Sequence, residues 1–259
     1  MDDFIPVEEA RTRKGLRLVL TTGVPGPWGE AAKGVFHAKG IPFARVPQVG
    51  AEQNEALVAW TGFDNAPQAV LDDEPARTGW AEILFLAESM KPEPALIPPD
   101  PSDRALMFGL AHELLGQHGL CWSRRLMMLQ PLMQLPEDNP VRAIGARLAG
   151  KYGYDEDQAE AAPARIAGIV DAFSQQLARQ RELGRPGFVG EAISAVDVYW
   201  AAAVGILSPL PEDVCPMNPM MRGQYDSPHP LIDEALEPAL LAHRDDVYAR
   251  FMEYPPVLG

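Results

Sequence analysis

Several residues have types and spacings that chemistry could use. His112-Glu113-Leu114-Leu115-Gly116 opens like the zinc-protease motif His-Glu-x-x-His, but position 116 is glycine, so the second ligand one helical turn on is absent and a metalloprotease is excluded. His118 falls around the opposite side of a helix from His112, so the two histidines share no metal, and no metal site is expected. Each reads as a solvated or capping histidine. Arg124-Arg125 beside Trp122 would draw an anionic or acidic ligand if it faces a cleft, while a salt bridge to one of the 36 acids is the commoner fate of such a pair. Cys121, between Leu120 and Trp122, reads as a buried, inert thiol. The loop GVPGPWG is glycine-rich but contains neither G-x-G-x-x-G nor Gly-Lys-Ser/Thr, so it gives no nucleotide signal. Ser194-x-x-Asp197 has the form of a capping box, with the Ser194 hydroxyl accepting from the Asp197 N–H and the Asp197 carboxylate reaching back to the Ser194 N–H.

The elements that would position these residues fall into two kinds. Leu16 to Thr22 reads as a buried strand ended by GVPGP, and Trp28, Ala31, Ala32, Val35 and Phe36 form one stripe of an amphipathic helix that Gly40 ends. Ile41 to Val46 follows as a strand, then Glu52 to Trp60 as a helix, Ala69 to Leu71 as a strand and Asp72-Asp73 as a turn. Trp80, Ile83, Leu84 and Ala87 mark a further helix. The order is β-α-β-α-β-(β)-α. Five prolines between Pro92 and Pro101 disfavour regular structure and place a boundary there.

Beyond that boundary the pattern is helical throughout. Ser102 reads as an N-cap with Leu106, Leu110 and Leu114 along one face. Further helices are expected at Leu120 to Gln130, Pro140 to Lys151, Gln158 to Leu183 and Ser194 to Leu207, with Asn139-Pro140 as a cap pair and Ile166, Ile169, Val170, Phe173 and Leu177 as a core stripe. The expected organisation is a mixed α/β domain at 15–91, a proline-rich linker at 92–101 and an all-helical domain at 102–259.

With 259 residues, 47% hydrophobic and 22% charged, the chain has the composition of an ordinary globular protein. A net charge of −14 repels phosphate backbones and anionic lipid, so nucleic acid and membrane surfaces are not expected partners. Two cysteines fit a reducing compartment, and the N-terminus MDDFIPVEEARTRKG has no apolar signal segment, so the cytoplasm is expected.

This arrangement resembles the glutathione S-transferase superfamily, whose first domain is thioredoxin-like and whose second is an all-α bundle. GPWGEAAKGVFHAKGIPF, from Gly26 to Phe43, is similar to the family's segment after strand one, and Asn65-Ala66-Pro67 to its cis-proline turn. LIPPDPSDRA, from Leu96 to Ala105, resembles the entry to the second domain, and FVGEAISAVDVYWAAA, from Phe188 to Ala203, its late helix with Ser/Thr-x-x-Asp. The resemblance implies a glutathione-dependent transferase acting on a small electrophile as a homodimer. Gly26 stands where the serine and cysteine classes carry their catalytic residue, and the tyrosine-class hydroxyl would fall near Thr21 or Thr22, so the resemblance leaves Thr22 as a weak candidate beside Thr21 and backbone groups as the main source of thiolate activation. Thr22 also reads simply as the end of its strand.

The glutathione-binding residues that the resemblance implies are Trp28, Ala66, Pro67, Arg77, Thr78 and Gly79. The main chain of Ala66 before a cis-proline would meet a peptide-like ligand, and Thr78-Gly79 with Arg77 would receive a carboxylate at a helix N-terminus. Thr78 reads equally as a plain N-cap. A second function from a different class stays open, a non-catalytic module of the same fold that binds a small molecule or a protein. The Met- and Pro-rich segment 208–259 resembles nothing that assigns it a role.

Overall fold

The computed structural model of the chain describes residues 4–226 and 229–259, so the first three residues of the acidic N-terminus lie outside it. A short helix α1 (Val7–Thr12) precedes strand β1 (Leu16–Thr21), whose apolar side chains are buried on both faces. β1 is the central strand of three, parallel to β2 (Ala44–Gln48) on one side and antiparallel to β3 (Gln68–Leu71) on the other. A parallel pair needs a crossover, and helix α2 (Pro27–Ala38) supplies it. Gly26 is its N-cap and Pro27, already lacking an N–H, its first residue.

β2 begins three residues later than Ile41, because Ile41 N–H still bonds Phe36 O at 2.9 Å and closes the end of α2. It runs on through Pro47, which an edge strand tolerates. Helix α3 (Glu55–Thr61) starts later than Glu52 because Asn54, at φ 50°, ties its side chain to Val49 and Glu52 and holds 49–54 as a turn. In place of a fourth strand there is one bridge, Ala69 to Arg77, before helix α4 (Trp80–Met90).

No helix or strand occupies 91–100. Helix α5 (Pro101–Leu115) is capped by Asp100 and not by Ser102: Asp100 Oδ1 accepts from Ser102 N at 2.9 Å and Asp103 N at 3.0 Å. Its buried face is Met107, Ala111 and Leu114, while Leu106 is 41% exposed. A strict four-residue row such as 106-110-114 winds around a helix of 3.6 residues per turn; alternating steps of four and three stay on one side.

Helices α6 (Leu120–Met133), α7 (Pro140–Tyr152), α8 (Glu156–Glu182) and α9 (Ala195–Val204) follow. The α8 stripe Ile166, Ile169, Val170, Phe173 and Leu177 is buried as its period implies, and every residue of α9 is buried. Segment 208–259 forms α10 (Pro219–Tyr225), α11 (Pro230–Ala235) and α12 (Pro238–Phe251). Six of the 26 prolines start helices: α2, α5, α7, α10, α11 and α12 all open on one.

The result is a thioredoxin-like α/β unit followed by an all-α bundle, with one buried apolar cluster running from Leu18 and Leu20 through α2 and α4 into α5, α8, α9 and α12. Gly34 is the contact point: a Cβ there would lie 2.5 Å from Val198 Cγ1 of α9 and 2.9 Å from Met252 Cε after α12. After α12 the chain returns to β1, where Gly23 N–H donates to Leu258 O at 2.7 Å.

Candidate functional site

A cavity of about 850 Å³ opens between the end of β1, the start of α2, the loop after β2 and helices α6, α7 and α10. Its volume is that of a small-molecule site. Thr22, Gly26, Trp28 and Ala66 all line it. Thr21 spends its hydroxyl on Gln48 Oε1 at 2.7 Å, whereas the neighbouring Thr22 hydroxyl makes no hydrogen bond among the described residues. The N–H groups of Trp28 and Gly29, in the first turn of α2, are likewise unspent there, as helix geometry requires, and no side chain caps them. The indole of Trp28 is fixed by donating to Leu115 O at 2.8 Å.

The Ala66–Pro67 bond is cis. Neither the N–H nor the C=O of Ala66 is bonded within the described chain, and Ala66 is one of the residues that line the cavity. Pro67 itself is buried outside the lining, and so are Arg77, Thr78 and Gly79 placed outside it. Arg77 bridges Ala69 through its main chain and pairs with Glu74 at 2.6 Å. Gly79, not Thr78, is the N-cap of α4, and its N–H donates to Glu82 Oε2 at 3.0 Å. The chain's own carboxylate thus covers that helix terminus.

Sequence reasoning missed three features of the site. The first is a buried ionic group: Glu30 pairs with Lys33 at 2.9 Å, and Lys33 also reaches Glu253 at 3.3 Å and Val257 O at 2.9 Å. Arg45 closes the set by bonding the other oxygen of Glu253. Burial raises the Glu30 carboxyl above its ordinary range despite Lys33. Burial also works against the Glu253 carboxylate, but Lys33, the Val257 N–H and Arg45 together outweigh it and hold its carboxyl low. The spacing Glu30-x-x-Lys33 on an otherwise apolar helix face was the available signal.

The second is the split of the arginine pair. Arg124 is buried and donates to the carbonyls of Ile206 and Gln224, a structural role. Arg125 lines the cavity, its Cζ 4.1 Å from the Trp28 ring centre and 3.9 Å from that of Tyr152. The third is the contribution of α10, whose Met220, Met221 and Tyr225 complete the wall. Cys121 also lines the cavity, but burial pushes its thiol far above the thiol range, so it is no nucleophile. Among the described residues there is no cluster of three or more His, Cys, Asp or Glu that could hold a metal ion, and no helix is long and apolar enough to cross a membrane.

No protein-family profile matches the sequence, and no curated protein matches it. Solved structures do. A glutathione S-transferase from Methylobacterium radiotolerans, in complex with glutathione sulfonate, aligns at a TM-score of 0.58 and 17% identity, covering 89% of this chain and 94% of that one. A β-etherase from Sphingobium aligns at 0.57 and 15%, covering 89% of this chain and 99% of that one. A glutathione S-transferase from Xanthobacter autotrophicus aligns at 0.56 and 21%, covering 94% and 98%. The chain therefore has the glutathione S-transferase fold.

Proposed function

We propose that this chain is a glutathione-dependent transferase whose thiolate is activated mainly by backbone groups. The observation that carries the reading is the convergence of unspent polar groups on one cavity: the Ala66 main chain, the Trp28 and Gly29 N–H groups and the Thr22 hydroxyl. Ala66 would hold the cysteinyl segment as a strand edge holds a peptide. The first turn of α2 and the Thr22 hydroxyl would face the sulfur. Lowering a thiol pKa from about 9 to about 7 takes ~2.7 kcal/mol. A helix N-terminus supplies up to ~2 kcal/mol, and a hydrogen bond to a charged group ~1.5–3 kcal/mol. No side chain at position 26 is needed for that sum.

In this reading Pro67 sets the turn that presents Ala66, and Arg77, Thr78 and Gly79 receive the γ-glutamyl carboxylate once Glu82 leaves the α4 terminus. Residues 15–91 act as the glutathione domain and 102–259 as the helical domain, joined by the linker at 92–101, in a cytoplasmic homodimer. Retention on immobilised glutathione, with elution by free glutathione, tests the reading.

Two observations favour the second reading, a binding module without catalysis. Glu82 already occupies the helix terminus that a carboxylate would use, and Gly26 offers no donor. A protein that binds small acids but is not retained by glutathione would be that module.

A further inference from the structure

The inference drawn here deepens the reading above by naming the class of the second ligand. The cavity has four cationic side chains on its wall, and they differ in what they hold. Lys33 is paired with Glu30 at 2.9 Å, and Lys151 with Asp64 at 2.8 Å. Arg147 stands exposed to solvent. Arg125 is partly buried and makes no hydrogen bond and no ion pair among the described residues. The groups that bear on its charge are Tyr152, Cys121 and Tyr225, with no carboxylate among them, and burial lowers its pKa. Two ring faces near 4 Å hold a guanidinium in place but offer its N–H groups no lone pair. That planar fork matches two oxygens of a carboxylate.

Around it the wall is apolar. Val141, Ile144 and Met220 are 44%, 50% and 72% exposed, and all three line the cavity with Met128 and Leu132. Large apolar side chains left open around a concave site mark where an apolar body is received. Of the two wall cations without a carboxylate partner among the described residues, Arg147 stands in solvent and Arg125 is set into this apolar wall between two rings, so Arg125 is the one placed to select a ligand with one anionic end.

We propose that the helical-domain side of this cavity takes an apolar or aromatic carboxylic acid, with the Arg125 fork holding the carboxylate and the wall of α6, α7 and α10 holding the body. Arg125 is then the residue that sets specificity for acids over neutral compounds of the same shape. A carboxylate of glutathione itself has the same chemistry, so the test separates the two sources.

The experiment is calorimetric titration of the full chain with cinnamate and with cinnamamide, which share a shape and differ in charge. The acid is expected to bind at least about tenfold tighter than the amide. Arg125→Met should bring the acid down to the level of the amide and leave the amide unchanged. Saturating glutathione should leave the affinity for cinnamate unaltered. Equal binding of acid and amide by the unaltered protein would overturn the proposal, and that comparison needs no variant to fold. Displacement of cinnamate by glutathione, with Arg125→Met weakening glutathione by the same factor, would overturn it in favour of a glutathione carboxylate at Arg125. Absence of glutathione binding would refute the transferase reading while the acid-to-amide ratio still decides this one.

Discussion

Asp197 of α9 and His243 of α12 meet at 2.8 Å with both side chains buried. The same carboxylate accepts from Phe188 N at 2.9 Å, from Ser194 N at 2.8 Å and from the Ser194 hydroxyl at 3.1 Å. The serine of the capping box therefore donates to the aspartate; its hydroxyl does not accept from the Asp197 N–H, which instead bonds Ser194 O at 3.1 Å. Asp197→Ala would strand these donors in the core and should cost about 3 kcal/mol or more, against about 1 kcal/mol for Ser194→Ala. Urea unfolding reads both. Neither residue lines the cavity, so ligand affinity should hold in whichever variant folds. An Asp197→Ala midpoint equal to that of the unaltered chain would contradict this account of α9.

The ionic group at the cavity gives opposite pH signatures for its two acids. Glu30 has its folded pKa above the ordinary 4.5, so between those two values the folded chain binds more protons than the unfolded one and stability falls as pH rises. Glu253 has its folded pKa below 4.5, so its contribution is full above that value and is lost as pH falls through the folded one. Glu30→Gln should therefore gain on the unaltered chain as pH rises from 4.5 towards neutrality. Glu253→Gln should lose most near neutrality and draw level in acid. Unfolding free energies measured across the acid-to-neutral range check both, and parallel curves would contradict the pairing.

Gly26 has φ −62°, and a Cβ there would meet nothing within 4 Å. Serine fits without strain at the N-cap. If the first turn of α2 and the Thr22 hydroxyl activate the thiolate, Gly26→Ser adds a further donor beside it and should raise kcat/KM towards an activated aryl chloride about tenfold, with little change in stability. Thr22→Val should lower it by a similar factor. Unchanged rates in both variants would show that the sulfur does not sit at this helix terminus.

Glu82 is an exposed side chain that, among the described residues, bonds only the N–H of Gly79. Glu82→Ala should cost the helix about 1 kcal/mol and free its terminus for a carboxylate, tightening glutathione about tenfold. Competition binding measures it. Weaker binding in this variant would place Glu82 among the groups that hold the ligand.

Much of this was legible because local period carries it. The stripe from Ile166 to Leu177 repeats at helical spacing, β1 is a short apolar run between breakers, and Asn65-Ala66-Pro67 is a local turn. What escaped depends on partners distant in sequence. His243 reaches Asp197 across 46 residues, Glu253 meets Lys33 across 220, and neither separation leaves a pattern. The last helices open on proline, which reads as a break when its neighbours are polar and short helices give little period. Adjacent Arg124 and Arg125 look alike in sequence; only the helix turn between them sends one into the core and the other to the cavity.

Titration calorimetry of the unaltered chain with glutathione tests the central claim most directly. The account predicts saturable binding at one ligand per chain, weakened about fivefold by Thr22→Val through loss of one hydrogen bond. No heat and no saturation up to roughly millimolar ligand would contradict it and leave the fold serving a different ligand.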